Sequence, residues 1–519
     1  MKPFSYYAEN TRLPFNLKLI LAAFLSAVMF AFITLTGDTI MIEQSLILAF
    51  GAYFSLFYFA GLVIFFLGKN TDKIETVLFF GAGLAAVTYI RFCMVYYVSN
   101  DYNAFLANWI EQMQGYSGIS ALAADIGDYT VPYQCFLLIL SKIGGNDLFF
   151  IKMFSMSFDL VGAYFVMKTV ELKTSNVTVR ALAFLLTLAV PTVCFNSAMW
   201  GQCDMMFTAF CLGGLYFALK GRPRLAVIMA SVAFAFKIQT VFFAPVFLVL
   251  FLIKKIRWRD LLWFPAVMII SVLPAVIAGK GIFSALGVYA KQTGEYGMMY
   301  LNAPSIWRFL DGANNPYPQS SDLAPFDNFN KIAILLTALA VAALVYIAYR
   351  YRAKLDTRHM VSIAFIGALM IPFLLPRMHE RYFFAADIMA LVYFFYNKKR
   401  WYVPIIVIYN SYVVYAYYLF RVEIGTDIVN SGLLLLVLAQ ALYEFVNELI
   451  NAPVPENSLC VFGENGENGD FADDNLSESN DFADGNLSGD NDFADDNLSG
   501  DNDFADQDDL VLSSIPDND

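Results

Sequence analysis

Charge is what this 519-residue chain has least of: 15% of its residues are Asp, Glu, Lys or Arg, against roughly 25% in an ordinary soluble domain. With 59% hydrophobic and 17% aromatic residues and a mean hydropathy of +0.57, a soluble enzyme of this length is excluded. Histidine occurs twice. The six cysteines (Cys93, Cys135, Cys194, Cys203, Cys211, Cys460) have neither the close pairing of a metal site nor the density of a disulfide scaffold, and read as small apolar fillers. A cleavable leader is not expected, because the first apolar run is long, lacks a small-residue cleavage site and is followed by more such runs.

The overall charge of −12 sums two unlike parts. From Val454 onward there are 20 acids and no base, leaving 25 acids against 33 bases, a net of +8, in residues 1–453. The chain thus divides into a membrane body, 1–453, and an acidic tail, 454–519. The tail repeats every 11 residues from Asp470, Asp481 and Asp492, and its Asp, Asn, Gly and Ser content predicts a solvated, disordered segment rather than a coiled coil. Asn475, Asn486 and Asn497 open N-L-S sequons, and the clustered Asp lacks the closing Glu of a hand-like calcium loop.

The body holds continuous apolar runs rather than alternating ones, which predicts an all-α, polytopic helical bundle. About fourteen spans fall near 17–36, 45–67, 76–98, 148–168, 180–198, 205–219, 225–238, 240–253, 261–278, 331–349, 360–376, 382–396, 402–420 and 428–449, with a short hairpin bent at Pro245 in the middle. With the N-terminus inside, 22 of the 33 bases fall in cytoplasmic loops, as the positive-inside tendency requires. Both termini are then cytoplasmic in a multi-pass plasma-membrane protein. The opposite face receives two long segments, 99–147 and 279–330, whose Trp109, Tyr116, Tyr129, Tyr133, Tyr289, Tyr296, Tyr300, Trp307 and Tyr317 make them too aromatic for disorder. Residues 104–114 read as an interfacial amphipathic helix and 131–145 as an apolar stretch too short to span.

Four polar clusters interrupt the pattern, and the charge distribution puts all four on that extracytoplasmic face: SNDYN with Asp101, GDYTVPY with Asp128 and Tyr129, WGQCD with Trp200, Gln202 and Asp204, and PRMHERY with Arg377, His379, Glu380 and Arg381. Guanidinium groups form forked, charge-assisted hydrogen bonds to phosphate and stay charged when partly desolvated, so Arg377 and Arg381, with His379 as a further donor, read as a phosphate clamp. His379 and Glu380 alone do not make a metal site. Asp101, directly after a span and partly shielded from water, suits a general base on a hydroxyl, although a helix-flanking Asp is also an ordinary cap. Trp200, Gln202 and Asp204 can stack on and hydrogen-bond a sugar. Arg91 and Asp159, inside spans, read as a structural pair; Lys237, also inside a span, is left open between pairing and substrate binding.

Together these residues resemble the integral-membrane glycosyltransferases of the GT-C class, which use polyprenyl-phosphate sugars, and in particular bacterial relatives of the second mannosyltransferase of GPI-anchor synthesis, the PIG-V-like group. The resemblance is carried by Asp101 with Trp109 and Gly115, Asp128-Tyr129-x-x-Pro132-Tyr133, AMWGQCD at 198–204, the run with Lys237, Gln239 and Pro245, and FLLPRMHERYFFAAD at 373–387, over roughly residues 85–400. It implies that Asp101 is the catalytic base, that the donor phosphate meets His379–Arg381, and that the displacement inverts the sugar. The implied partners are a polyprenyl-phosphate-sugar donor, a glycan, lipid or protein acceptor and the bilayer, with no nucleic acid. No cofactor is certain, but a divalent cation held by loop carboxylates is compatible with the class, Asp101, Asp128 and Asp204 being its candidates. The rival function is a transporter or lipid-linked-sugar flippase, which would place polar groups near the midplane and repeat its halves; here they lie at one face and no repeat is visible.

Overall fold

A computed structural model of the chain describes residues 14–37, 44–67, 74–292, 300–309, 323–424, 427–455 and 458–459. The acidic repeats, Cys460, Tyr296 and Tyr317 lie outside the described residues. The described chain is almost entirely helical because long apolar runs can satisfy their backbone only along their own axis. It opens with three long helices, α1 (Phe15–Gly37), α2 (Gln44–Phe66) and α3 (Ile74–Met94). Two short ones follow, α4 (Ala107–Gln114) and α5 (Val131–Ile143), then α6 (Asp147–Glu171), α7 (Val177–Ala189) and α8 (Pro191–Trp200).

The middle of the chain forms α9 (Asp204–Leu219), α10 (Pro223–Phe236), α11 (Ala244–Leu252) and α12 (Trp263–Ile277), then the short α13 (Ile282–Leu286) and α14 (Val288–Gln292). The last third is α15 (Leu323–Arg350), α16 (Thr357–Leu374), α17 (Phe384–Tyr396), α18 (Tyr402–Phe420) and α19 (Asp427–Asn451).

Among the described residues nine helices are long and apolar enough to cross a membrane, and α7 with α8, bent by 52° at Val190–Pro191, makes a tenth. The chain is therefore an all-α polytopic membrane protein. The runs expected as separate spans at 205–219, 225–238 and 240–253 fold as shorter apolar helices. Sixteen residues of α9 rise only about 24 Å at 1.5 Å each, short of a ~30 Å hydrocarbon core. They are sheltered by neighbours: α9 sits in the main core with α16 and α17, and the side chains of α16 and α17 are nearly all enclosed. The bend expected at Pro245 is instead a break at Lys237, where the backbone becomes extended; Pro245 lies in the tolerant first turn of α11. A second core packs α1, α2 and α3 against α6 and α7.

The segment 99–147 is folded. A wide π-type turn over Tyr102–Leu106 precedes α4, so the helix expected from 104 is regular only from 107. α4 and α5 pack through Ile110, Met113, Leu137 and Leu140, joined by Val272 and Ala275 of α12. The described part of 279–330 contributes α13, α14 and a two-residue strand β1 (Tyr300–Leu301). This strand pairs in parallel with β2 (Met378–His379), Tyr300 opposite Met378 and Leu301 opposite His379. The two ends of the bundle differ in chemistry. At one, the bases of the loops assigned to the cytoplasm meet acids: Lys168 and Arg180 with Glu171, Arg358 with Glu448, Arg400 with Glu444. At the other lie the four polar clusters.

Candidate active site

Two local departures from α geometry deliver the site. Pro191 cannot continue α7, and the chain re-enters a helix that widens into a π-turn over Phe195–Trp200 before stopping at Gly201. Gly201 has φ +76°, a conformation cheap only for glycine. Side chains on either side of it are thereby turned inward: Trp200, Gln202 and Asp204 are all buried. The second π-turn begins directly after Asp101. Arg377, with φ +63°, marks a third strained point in the connection between α16 and α17, and residues in this region cluster at functional sites.

Gln202 joins the four clusters. Its Nε2 donates to Asp101 Oδ2 at 2.7 Å, while its Oε1 accepts from the Tyr129 hydroxyl at 3.3 Å and from Arg381 Nη1. Asp101 Oδ2 also accepts from Trp200 Nε1 at 2.9 Å, and Asp101 Oδ1 accepts from the Tyr418 hydroxyl. Three donors thus fix the carboxylate of Asp101. With about four acceptor positions on an ionised carboxylate, one remains for a further hydroxyl. The Trp200 ring stacks on Tyr418 at 4.6 Å, and the Arg381 guanidinium lies 5.3 Å from the Trp200 ring centroid. Burial opposes the Arg381 charge, but Asp204, Tyr129, Asp101 and Glu380 outweigh it, and the guanidinium holds its proton more tightly than an ordinary arginine. Its Nε is buried with no hydrogen-bond partner, an unmet donor that an anion would satisfy.

Asp204 stands behind this centre. Its Oδ1 is paired with Lys237 Nζ, and its Oδ2 accepts from Asn196 Nδ2 at 2.7 Å. The break after α10 is what turns Lys237 inward, so that residue is a buried ion-pair partner. Glu380 is buried with His379 Nδ1 3.6 Å from its Oε2, and the His379 backbone is held by β1. Asp128 is apart from the Gln202 centre: its backbone carbonyl accepts from Gln292 Nε2 at 2.8 Å and it lines a neighbouring cleft. Arg91 and Asp159 form the expected fully buried pair, 3.1 Å apart, with Ser197 Oγ donating to Asp159 at 2.6 Å. Among the described residues no three of His, Cys, Asp and Glu gather at metal-ligand spacing, so Asp101, Asp128 and Asp204 do not converge.

Sequence reasoning missed Tyr418, Tyr415 and Asn196. Tyr418 touches Asp101 and Trp200, and Tyr415 packs edge-on to Trp200 at 5.2 Å while its hydroxyl accepts from Asn196. The first two sit in the aromatic run YVVYAYYLF of α18, indistinguishable there from membrane-facing residues.

Residues 148–376 match the model of glycosyltransferase family 87. The matched segment contains Trp200, Gln202, Asp204 and Lys237, while Asp101 precedes it and His379–Arg381 follow it. No curated protein matches the chain. An all-helical membrane bundle whose central segment matches that family is a membrane glycosyltransferase.

Proposed function

We propose that the protein transfers a hexose, mannose being the first choice, from a polyprenyl-phosphate donor to a hydroxyl acceptor on the extracytoplasmic face, with Asp101 as the single catalytic base. One observation carries the reading: the half-buried Asp101 carboxylate, oriented by Trp200, Gln202 and Tyr418, is linked through one side chain to the Arg381 guanidinium. The acceptor hydroxyl gives its proton to Asp101 as its oxygen forms the new bond to the anomeric carbon. The bond from that carbon to the phosphate oxygen breaks on the opposite face, and the electron pair leaves with the lipid phosphate. The anomeric centre is inverted. Phosphate is a good leaving group, so no general acid is needed, unlike the two-carboxylate arrangement of glycosidases; the charge it gains is offset by Arg381, assisted by Arg377 and His379.

An apolar groove of about 610 Å³ supports a lipid-borne donor. It lies between α11, α15 and α16, is walled by residues such as Leu248, Val341 and Ile371, and includes Leu375, two positions before Arg377, in its lining. The sugar-contacting role expected for Trp200, Gln202 and Asp204 does not fit their burial: Trp200 is enclosed by Tyr418, Tyr415 and Arg381, and both Asp204 oxygens are taken by Lys237 and Asn196. These residues position the centre, while half-buried Tyr129 and Asp101 face the substrate. Polar groups gathered at one end of the bundle fit a transferase better than a midplane transport site.

Radiolabelled mannose supplied on synthetic polyprenyl phosphate to proteoliposomes tests the reading, with wild type and Asp101→Asn compared. Label on an added acceptor with wild type alone supports donor and base together. Labelled lipid that changes leaflet without transfer would falsify the proposal in favour of a flippase.

A further inference from the structure

Beside the Asp101 centre, at the same end of the bundle, a cleft of about 470 Å³ is lined by both extramembrane segments: Asp125, Gly127, Asp128 and Tyr129 from the first, Lys280, Ser284 and Lys291 from the second. The α13–α14 hairpin is tied over it by Gln292, whose Nε2 donates to the Asp128 carbonyl. Lys280 adds an ion pair with Asp125 at 3.0 Å. The size falls within the roughly 300–1,000 Å³ of small-molecule sites. Tyr129 is shared between the two places. It lines the cleft, and its hydroxyl donates to Gln202, which holds Asp101.

We infer that this cleft is the acceptor site and that the acceptor is a neutral oligosaccharide; the inference rests on the glycosyltransferase reading of the Asp101 centre. Its charge points there. Among the described residues two carboxylates and two ammonium groups line it and sum to zero, so an acidic glycan or a phosphate would face Asp125 and Asp128 without a surplus of cations. Hydroxyls both donate and accept, and a wall that carries both acceptors and donors suits them. The aromatic side agrees: Gly127, at φ +69°, has room for no side chain, since a Cβ there would lie 2.7 Å from the Trp109 ring, and Trp109 meets Tyr129 edge-on at 5.6 Å. Of the two rings it is Tyr129 that lines the cleft, with Trp109 packed against it, and Tyr129 gives a sugar an aromatic contact. The cleft lacks the continuous apolar lining of the groove along α15, which would suit an acceptor held by its lipid tail.

The test measures binding to the detergent-solubilised full chain of three probes, mannotetraose, maltotetraose and tetragalacturonate, alongside label transfer to each and to a Ser/Thr-rich peptide. Wild type should bind and glycosylate a neutral tetrasaccharide and ignore the uronate. Ser284→Trp, a change at an exposed position that fills the cleft, should weaken that binding by at least about tenfold while donor hydrolysis to free sugar continues. Asp128→Lys, which gives the cleft a net positive charge, should admit the uronate. Unchanged saccharide binding in Ser284→Trp, equal binding of the uronate by wild type, or transfer to the peptide alone would overturn the inference. Wild type that hydrolyses donor yet ignores every saccharide also overturns it and leaves the glycosyltransferase reading intact. Saccharide binding lost in Ser284→Trp with no donor cleavage by any protein supports the cleft and removes the reading beneath it.

Discussion

The side-chain amide of Gln202 donates to the carboxylate of Asp101 across 2.7 Å, joining residues 101 positions apart. Because the same amide accepts from Tyr129 and Arg381, the base and the guanidinium are held in one frame. Asp101→Asn keeps the shape of this frame and removes the proton acceptor. Transfer should fall by about 10²–10⁴-fold, the range of general acid–base contributions, with the melting temperature nearly unchanged. Turnover at the wild-type rate would sink the base assignment.

Arg381→Lys retains a positive charge but loses the fork, which reaches Gln202 through Nη1 while keeping a buried, unpartnered Nε. Charge-assisted hydrogen bonds to a phosphate contribute about 1.5–3 kcal/mol, so the donor KM should rise roughly 10- to 100-fold. A donor KM within twofold of wild type would show that the phosphate binds elsewhere.

The Lys237–Asp204 pair is buried between α9 and the break after α10. Removing one partner strands a charge, and Lys237→Met alone should cost about 3–5 kcal/mol. Lys237→Met with Asp204→Asn should recover most of that stability. Thermal unfolding of both variants and the double mutant checks this; simple addition of the two single losses would mean the residues are not coupled.

Asp356 caps the start of α16, accepting from the His359 backbone at 2.9 Å while the His359 ring reaches back to it. Burial alone would raise its pKa, but the His359 side chain and backbone, with the charges of His359 and Arg358, hold it below the usual carboxylate value. A depressed folded-state pKa means the stabilisation is whole above the ordinary Asp value near 3.8 and is lost as pH falls through the lower one. Asp356→Ala should therefore cost about 0.5–2 kcal/mol at neutral pH, with the difference shrinking toward pH 3 and below. Melting temperatures compared across that range would reveal a pH-independent gap if the cap were unimportant.

Truncation after Pro455 removes the acidic repeats and spares every residue of the Gln202 centre. Turnover of the shortened protein in proteoliposomes should match wild type, and a large loss would give the tail a part in the chemistry.

Composition alone determined that this chain is a helical membrane protein, because apolar runs of spanning length leave the backbone no other solution in lipid. The four polar clusters were legible for a related reason: the short polar stretches around Asp101, Asp128, Gln202 and Arg381 stand out between long apolar runs, and the Arg91–Asp159 pair followed from the cost of burying either charge alone. Tertiary structure decided what those clusters do together. A sequence cannot show that Gln202 is the point where they meet, since that depends on a bend at Pro191 and a left-handed Gly201 whose effect is directional. Nor could it show that Lys237 faces Asp204 and not a ligand, which follows from where α10 breaks. It was silent on Tyr418, because along α18 a tyrosine that grips a carboxylate and one that faces lipid obey the same pattern until the neighbouring helices are in place.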